Sequence, residues 1–196
     1  GEIASYKYLK HLAKFNKKLI LSTGMAKINE IKRAIDHLER NGTKRKNISI
    51  LQCNTEYPTP FEDLNLNAIP YLKKIFKINV GLSDHSEGIV APIVAISNGA
   101  KIIEKHITLS KKMLGPDHKA SLEPKEFLEM VKNIRIAEIS LGSKEKKISK
   151  SEKKNIKIAR KSIVAKKNIF KGDKFNFSNL TEKRTGKGQG TFKIEK

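Results

Sequence analysis

The chain has 196 residues, enough for one full domain with a small appendage and for a sizeable buried core. Its formal charge of +21 is unevenly spread: residues 1–142 hold 23 Lys and Arg against 15 Asp and Glu, and residues 143–196 hold 18 against 5. Lysine supplies most of that charge without an aromatic stacking platform or nucleic-acid motif, so nucleic-acid binding is not expected. The single cysteine, Cys53, excludes an intrachain disulfide and fits a reducing cytoplasm. The longest apolar run, 89–96, contains Pro92 and is too short to span a bilayer, so a soluble protein without membrane association is expected.

In chain order, residues 1–17 enter at once into a helical pattern with Tyr8, Leu9, Leu12, Ala13 and Phe15 apolar. Residues 18–23 predict a buried strand and Gly24 a turn. The stretch from Met25 predicts a helix with Ile28, Ile31, Ala34, Ile35 and Leu38 on one face, stopped by Asn41 and Gly42. A second strand is expected over 48–53, followed by a polar turn and a helix over about 64–76. A third strand at 78–83 leads to a short helix at 89–97, and a fourth at 101–106 precedes a helix over 122–141. Phe127, Leu128, Val131, Ile134 and Ile139 form the expected buried stripe of that last helix. Strand starts near 18, 48, 78 and 101 have a spacing close to the roughly 30 residues of a βα unit. Four such units build either an open doubly wound sheet or half of a (β/α)8 barrel, and periodicity does not separate the two. No G-x-G-x-x-G follows any strand, which argues against dinucleotide binding.

From Gly142 the character changes. A Lys- and Ser-rich linker is expected over 143–158, and residues 159–196 alternate β-prone pieces with the turn KGD, as in a small β-rich module. The glycine-rich end, 185–196, is expected to be loop.

The chemistry concentrates after the strands, where ligands bind in parallel α/β folds. His85 and His106 each follow an apolar run, so two neighbouring strand ends could aim two imidazoles at one divalent ion. A histidine at a strand end can equally just bond a backbone carbonyl. Ser22, Thr23, Asn54, Thr55 and Ser83 recur after successive strands, where hydroxyl and amide groups can hold phosphate oxygens or simply cap turns. Tyr57 lies in the proline-fixed turn EYPTP, and Asp117, in GPDH, could bond a sugar hydroxyl, move a proton or pair with Lys119. Glu2 is uninformative by pattern. Cys53 suits a strand better than a nucleophile, and His11 and His37, on amphipathic helices, are expected to be solvated.

The stretches ILSTGM (20–25), EYPTPFED (56–63), GLSDHS (81–86), IIEKHIT (102–108) and GPDHKASLEP (115–124) together resemble the sialic acid synthase family. That family includes N-acetylneuraminate synthase and the bacterial synthases of legionaminic and pseudaminic acids. The resemblance runs from Gly1 to about Arg184. It implies the second half of a (β/α)8 TIM barrel over 1–142, the linker, a partial antifreeze-like (SAF) domain over 159–196, and a domain-swapped homodimer. It implies His85 and His106 as ligands of Mn2+ or Mg2+, with the ion binding the aldehyde oxygen of an open-chain N-acetylmannosamine-type sugar. Carbon 3 of phosphoenolpyruvate then attacks the aldehyde carbon, water adds to carbon 2, and phosphate leaves by C–O cleavage. Ser22 and Ser83 match phosphoenolpyruvate-binding serines, and one of Asn54 and Thr55 matches a further such contact. Tyr57, Asp117 and Glu2 match sugar-side or catalytic positions. Arg184 matches an arginine that holds the N-acetyl group in the partner's site, although the proline that commonly follows it is Thr185 here. The family's phosphate-binding lysines have no counterpart in this sequence, so the chain by itself is expected to be inactive. Another metal-dependent barrel aldolase, or a non-catalytic basic binding fragment, are the other readings.

Overall fold

The computed structural model of the protein describes residues 1–193. The chain divides after Gly142 into two compact units. In the first unit α1 (Tyr6–Ala13) precedes β1 (Leu19–Ser22), α2 (Ile28–Arg40), β2 (Ile48–Cys53), α3 (Ala68–Phe76), β3 (Asn79–Asp84), α4 (Val90–Ser97), β4 (Ile103–Lys105) and α5 (Pro124–Leu141). A 3-10 turn, Glu2–Ala4, opens the chain.

The four strands are parallel and lie in the order β1-β2-β3-β4. A doubly wound sheet reverses its order at a switch point, whereas a (β/α)8 barrel adds each strand beside the last. The sheet therefore has the winding of a half-barrel. Its two faces differ, as the two-residue period of a strand requires. Leu21, Ile48, Ile50, Val80 and Leu82 belong to one buried cluster with Ile31, Ile35 and Leu38 of α2, Ile69, Leu72 and Phe76 of α3, Ala91 and Ala95 of α4, and Met130 and Ile134 of α5. The alternate residues, among them Ile20, Ser22, Cys53, Ser83 and Glu104, face the other way, and Ile20 is 53% exposed.

The helices start and stop where local chemistry allows. The Glu30 carboxylate accepts the Lys27 backbone N–H at 2.7 Å at the start of α2, and Glu126 does the same for Glu123 at 2.8 Å before Pro124 opens α5. Pro92 sits in the first turn of α4, where its missing N–H would have no helical partner in any case. Left-handed Lys77 (φ 53°) closes α3.

Three expectations are corrected. Leu128 and Ile139 are 71% and 81% exposed, because the core face of α5 runs through Phe127, Met130, Val131 and Ile134 at i, i+3, i+4 and i+7, and the other two lie off it. His37 is not simply solvated: it is half-buried, its Nε2 lies 2.9 Å from the Tyr6 carbonyl oxygen, and its ring stacks on Tyr6 with centres 5.0 Å apart. His11 remains exposed, edge-on to Phe15. The third helix begins at Ala68, since residues 61–63 form a separate 3-10 turn.

In the second unit, the expected linker contains two single-turn helices, α6 (Lys150–Lys153) and α7 (Ile156–Ala159), the first capped by Ser149. Antiparallel β5 (Ser162–Ala165) and β6 (Leu180–Lys183) follow, and the KGD turn is held by the Phe170 N–H on the Asp173 carboxylate at 2.8 Å. Thr191–Lys193 form a 3-10 turn, and the rest of the expected terminal loop, 194–196, lies outside the described residues. Among the described residues no helix is long and apolar enough to cross a membrane.

Gly81 lies in β3 where the neighbouring strands leave no room for a Cβ. A Cβ there would press on the Ile102 carbonyl oxygen and lie 2.7 Å from Leu51 Cδ2, and a backbone oxygen in a sheet cannot swing aside. Gly81→Ala is expected to destabilise the unit by about 1–3 kcal/mol, seen as a lower urea midpoint at unchanged m-value; an unchanged midpoint would show that the strands part freely.

Candidate functional site at the carboxyl rim of the sheet

β3 and β4 run in register to their last residues, Ser83 opposite Glu104 and Asp84 opposite Lys105. The next residue of each chain is a histidine. The alternation of side chains turns His85 to the same face as Ser83, and His106 to the same face as Glu104. Their rings meet edge-to-face, centres 5.2 Å apart.

The loop after β2 wraps His85 on three sides. Its Nδ1 lies 2.6 Å from the Asn54 carbonyl oxygen, its own carbonyl accepts the Thr59 N–H at 3.0 Å, and Tyr57 stacks on the imidazole with centres 4.0 Å apart. The carbonyl requires that Nδ1 carry the proton, so Nε2 keeps its lone pair, 3.5 Å from Ser83 Oγ. Burial holds the imidazole below its usual 6.5, helped by His106 and opposed by the Asn54 bond and the charges of Asp84 and Glu104. His106 has Asp117 Oδ2 at 3.8 Å from Nδ1 and Tyr57 at 5.3 Å between ring centres. The long loop carrying Asp117 is pinned beside β4 by the Leu122 N–H on the His106 carbonyl and the Thr108 N–H on the Leu122 carbonyl, both 2.9 Å. Lys111 fastens the same loop to the start of α5, through its N–H on Glu123 and its ammonium on Glu126 at 2.6 Å.

Tyr57, His85, His106 and Asp117 are thus brought together. Ser83 joins them, donating to Glu104 Oε1 at 2.6 Å. Ser22 is half-buried on β1, on the same sheet face. Asn54 has its side chain turned into its own loop, accepting the Glu56 N–H at 2.8 Å and reaching the Asp63 carbonyl at 3.4 Å. Thr55 is exposed, its methyl group over Gly24. Thr23 is committed to structure, its hydroxyl donating to the Leu51 carbonyl at 2.7 Å. Glu2 is exposed in the opening 3-10 turn and makes no hydrogen bond to this group among the described residues. Arg184 lies exposed just past β6, in the second unit.

Burial pushes the Cys53 thiol up, and the Glu104 charge adds to it, so it is poorly suited to nucleophilic duty at neutral pH. Burial likewise raises the Tyr57 phenol, with Cys53, Asp117 and Glu104 adding to it, so Tyr57 stays a donor. Two features escaped the sequence reading: Glu104, and the fully enclosed ion pair of Lys105 Nζ with Asp84 Oδ2 at 2.8 Å. The signal for the pair was an acid or base one position before each histidine, and Glu104 lies one position further back. A separate hollow of about 550 Å3, lined by Arg45, Lys46, Lys73 and Lys77, lies at the opposite ends of β2 and β3 and is remote from this rim.

The pair of imidazoles fits a divalent ion. Metal–imidazole bonds of about 2.0–2.1 Å would let rings this close share one ion; the Asn54 carbonyl bonds His85 Nδ1, as an outer partner of a ligating histidine does, and Asp117 lies 3.8 Å from His106 Nδ1. Among the described residues no group of three or more His, Cys, Asp and Glu is placed to hold a metal ion. A neutral His85 is also what such binding requires. In the unfolded chain His85 takes up its proton near 6.5, so its contribution to stability is present above that pH and is lost as pH falls below it. An NMR titration of the His85 ring is expected to give a midpoint below 6.5; a midpoint above it would contradict the burial account.

The NeuB family matches residues 1–146 of this chain. The N,N'-diacetyllegionaminic acid synthase of Campylobacter jejuni is 53% identical over all of this chain and 58% of its own length. The human N-acetylneuraminate-9-phosphate synthase is 36% identical, over 93% of this chain and 50% of its own length. The crystal structure of the N-acetylneuraminic acid synthetase from Leptospira borgpetersenii superposes with a TM-score of 0.72 at 34% identity, over 79% of this chain and 53% of that one. The chain spans 50–58% of the length of these relatives. With the half-barrel sheet and the family match over residues 1–146 in agreement, the chain belongs to the NeuB family.

Proposed function

We propose that the whole protein carrying this chain condenses phosphoenolpyruvate with an acylated amino sugar of the N-acetylmannosamine type, forming a nonulosonic acid and phosphate. The observation that carries the reading is the convergence of His85 and His106 on one rim beside Tyr57 and Asp117, in a chain of the NeuB family. Identity of 53% to a diacetyllegionaminic acid synthase, against 36% to the human enzyme, favours the 6-deoxy diacetamido sugar as substrate.

The reaction needs a carbonyl made electrophilic and an enol phosphate held over it. A divalent Mn2+ or Mg2+ ion held by His85 and His106 would supply Lewis acidity at the sugar aldehyde. The chain's own groups do the rest. Tyr57, a protonated phenol stacked on His85, donates toward the sugar, and Asp117, exposed beside His106, takes a sugar hydroxyl. Ser22 and Ser83, with Asn54 or Thr55, face the phosphoenolpyruvate. Carbon 3 of phosphoenolpyruvate bonds to the aldehyde carbon, whose oxygen gains a proton to become a hydroxyl. Water adds at carbon 2, and the C–O bond to phosphate breaks to leave the keto acid. Glu2 is assigned to the sugar side. In this reading residues 159–196 belong to an antifreeze-like (SAF) domain, and Arg184 reaches the N-acetyl group in the partner's site of a domain-swapped homodimer in the cytoplasm.

Phosphate release by the protein from its complete reading frame is expected to require both phosphoenolpyruvate and the amino sugar, to stop with a chelator and to return with Mn2+. His85→Ala or His106→Ala is expected to lower kcat by about 10²–10³-fold, the effect of several kcal/mol of lost charge stabilisation. Absence of phosphoenolpyruvate-dependent phosphate release with either sugar would overturn the assignment.

A further inference from the structure

The buried ion pair of Asp84 and Lys105 takes no part in the proposed chemistry, yet each of its members immediately precedes one of the two histidines. Both side chains are 0% exposed. The Lys105 ammonium donates to Asp84 Oδ2 at 2.8 Å and also to the Ser86 carbonyl oxygen. Asp84 Oδ1 in turn accepts from the Ser86 N–H at 2.9 Å and the Ser86 hydroxyl at 2.7 Å. Every acceptor of this ammonium therefore belongs to a residue flanking His85, while the lysine itself immediately precedes His106.

The place in the fold gives this its meaning. The β3–β4 ladder ends at the Asp84–Lys105 pair, so the two histidines sit one residue beyond the last rung. His85 is held from outside by Asn54 and Thr59, and His106 by Leu122, but neither set of bonds ties one histidine to the other's strand. The Lys105 ammonium does so directly, on the sheet face opposite the rings. An enclosed ion pair gives little net stability, because desolvating the two charges offsets their attraction. A role in holding geometry explains it better.

We propose that Lys105, with Asp84 and the Ser86 carbonyl, is the positioning group of the His85–His106 site, fixing the separation of the two imidazoles. The inference rests on the reading of those histidines as ligands of a divalent ion.

The test is Mn2+ affinity, followed by the electron paramagnetic resonance of free Mn2+, with the protein from its complete reading frame. Circular dichroism melts show that each variant is folded. Asp84→Asn keeps the side chain's shape, and the double variant Asp84→Asn with Lys105→Met leaves no unpaired charge buried. Both are expected to bind Mn2+ about 10–100-fold more weakly, as loss of an outer partner of a metal site does, with the double variant melting close to wild type. Lys105→Arg, which keeps a cation for Asp84, is expected to lose less than Lys105→Met. Wild-type Mn2+ affinity in the folded double variant and in Asp84→Asn would overturn the positioning role while leaving the ligand assignment intact. A wild-type protein that binds no Mn2+, like His85→Ala, would remove the ligand assignment itself and the inference with it.

Discussion

The pairing of β3 with β4 is the constraint on which the rest of the rim depends. These strands stay in step to their final residues, and the two-residue period then distributes chemistry by face: Ser83 bonded to Glu104 on one side, Asp84 bonded to Lys105 on the other. Because the next residues are the histidines, this ladder decides where both imidazoles begin. A slip of one residue in either strand would send one ring to the helices and bring a charge to the rim.

The surrounding loops complete what the ladder starts. The turn after β2 lends His85 a carbonyl, an N–H and an aromatic face, and the loop after β4 brings Asp117 beside His106. Each loop is itself tied down, the first by Asn54 within its own turn and the second by Lys111 on α5. Rigid support beneath a polar cluster is what lets short side chains hold a common geometry at a strand end.

Much of this could be read from the residues. The four strands fall within the apolar stretches 18–23, 48–53, 78–83 and 101–106, or within one residue of them, because a buried parallel strand is a nearly unbroken apolar run. The two histidines stood out for the same reason: polar groups after such runs arrive at one edge of the sheet. Strand order was not legible, since it depends on pairing between residues some thirty positions apart, and only the structure separates the barrel winding from the doubly wound one. The burial of Asp84 and Lys105 was hidden too. In a short strand such as Ile103–Lys105, a charged residue looks like a solvent-facing one until its partner across the ladder is known. In α5, Leu128 and Ile139 show the converse error, apolar type mistaken for apolar environment.

The split between the two faces of the sheet has an evolutionary consequence. Leu21, Ile48, Ile50, Val80 and Leu82 keep the unit folded, while Ser22, Cys53 and Ser83 alternate with them along the same strands and lie outside that cluster. Mutations that retune chemical preference can therefore accumulate on one set of positions with little penalty on the other. A lineage could explore new ligands over this scaffold while its folding remained under separate selection.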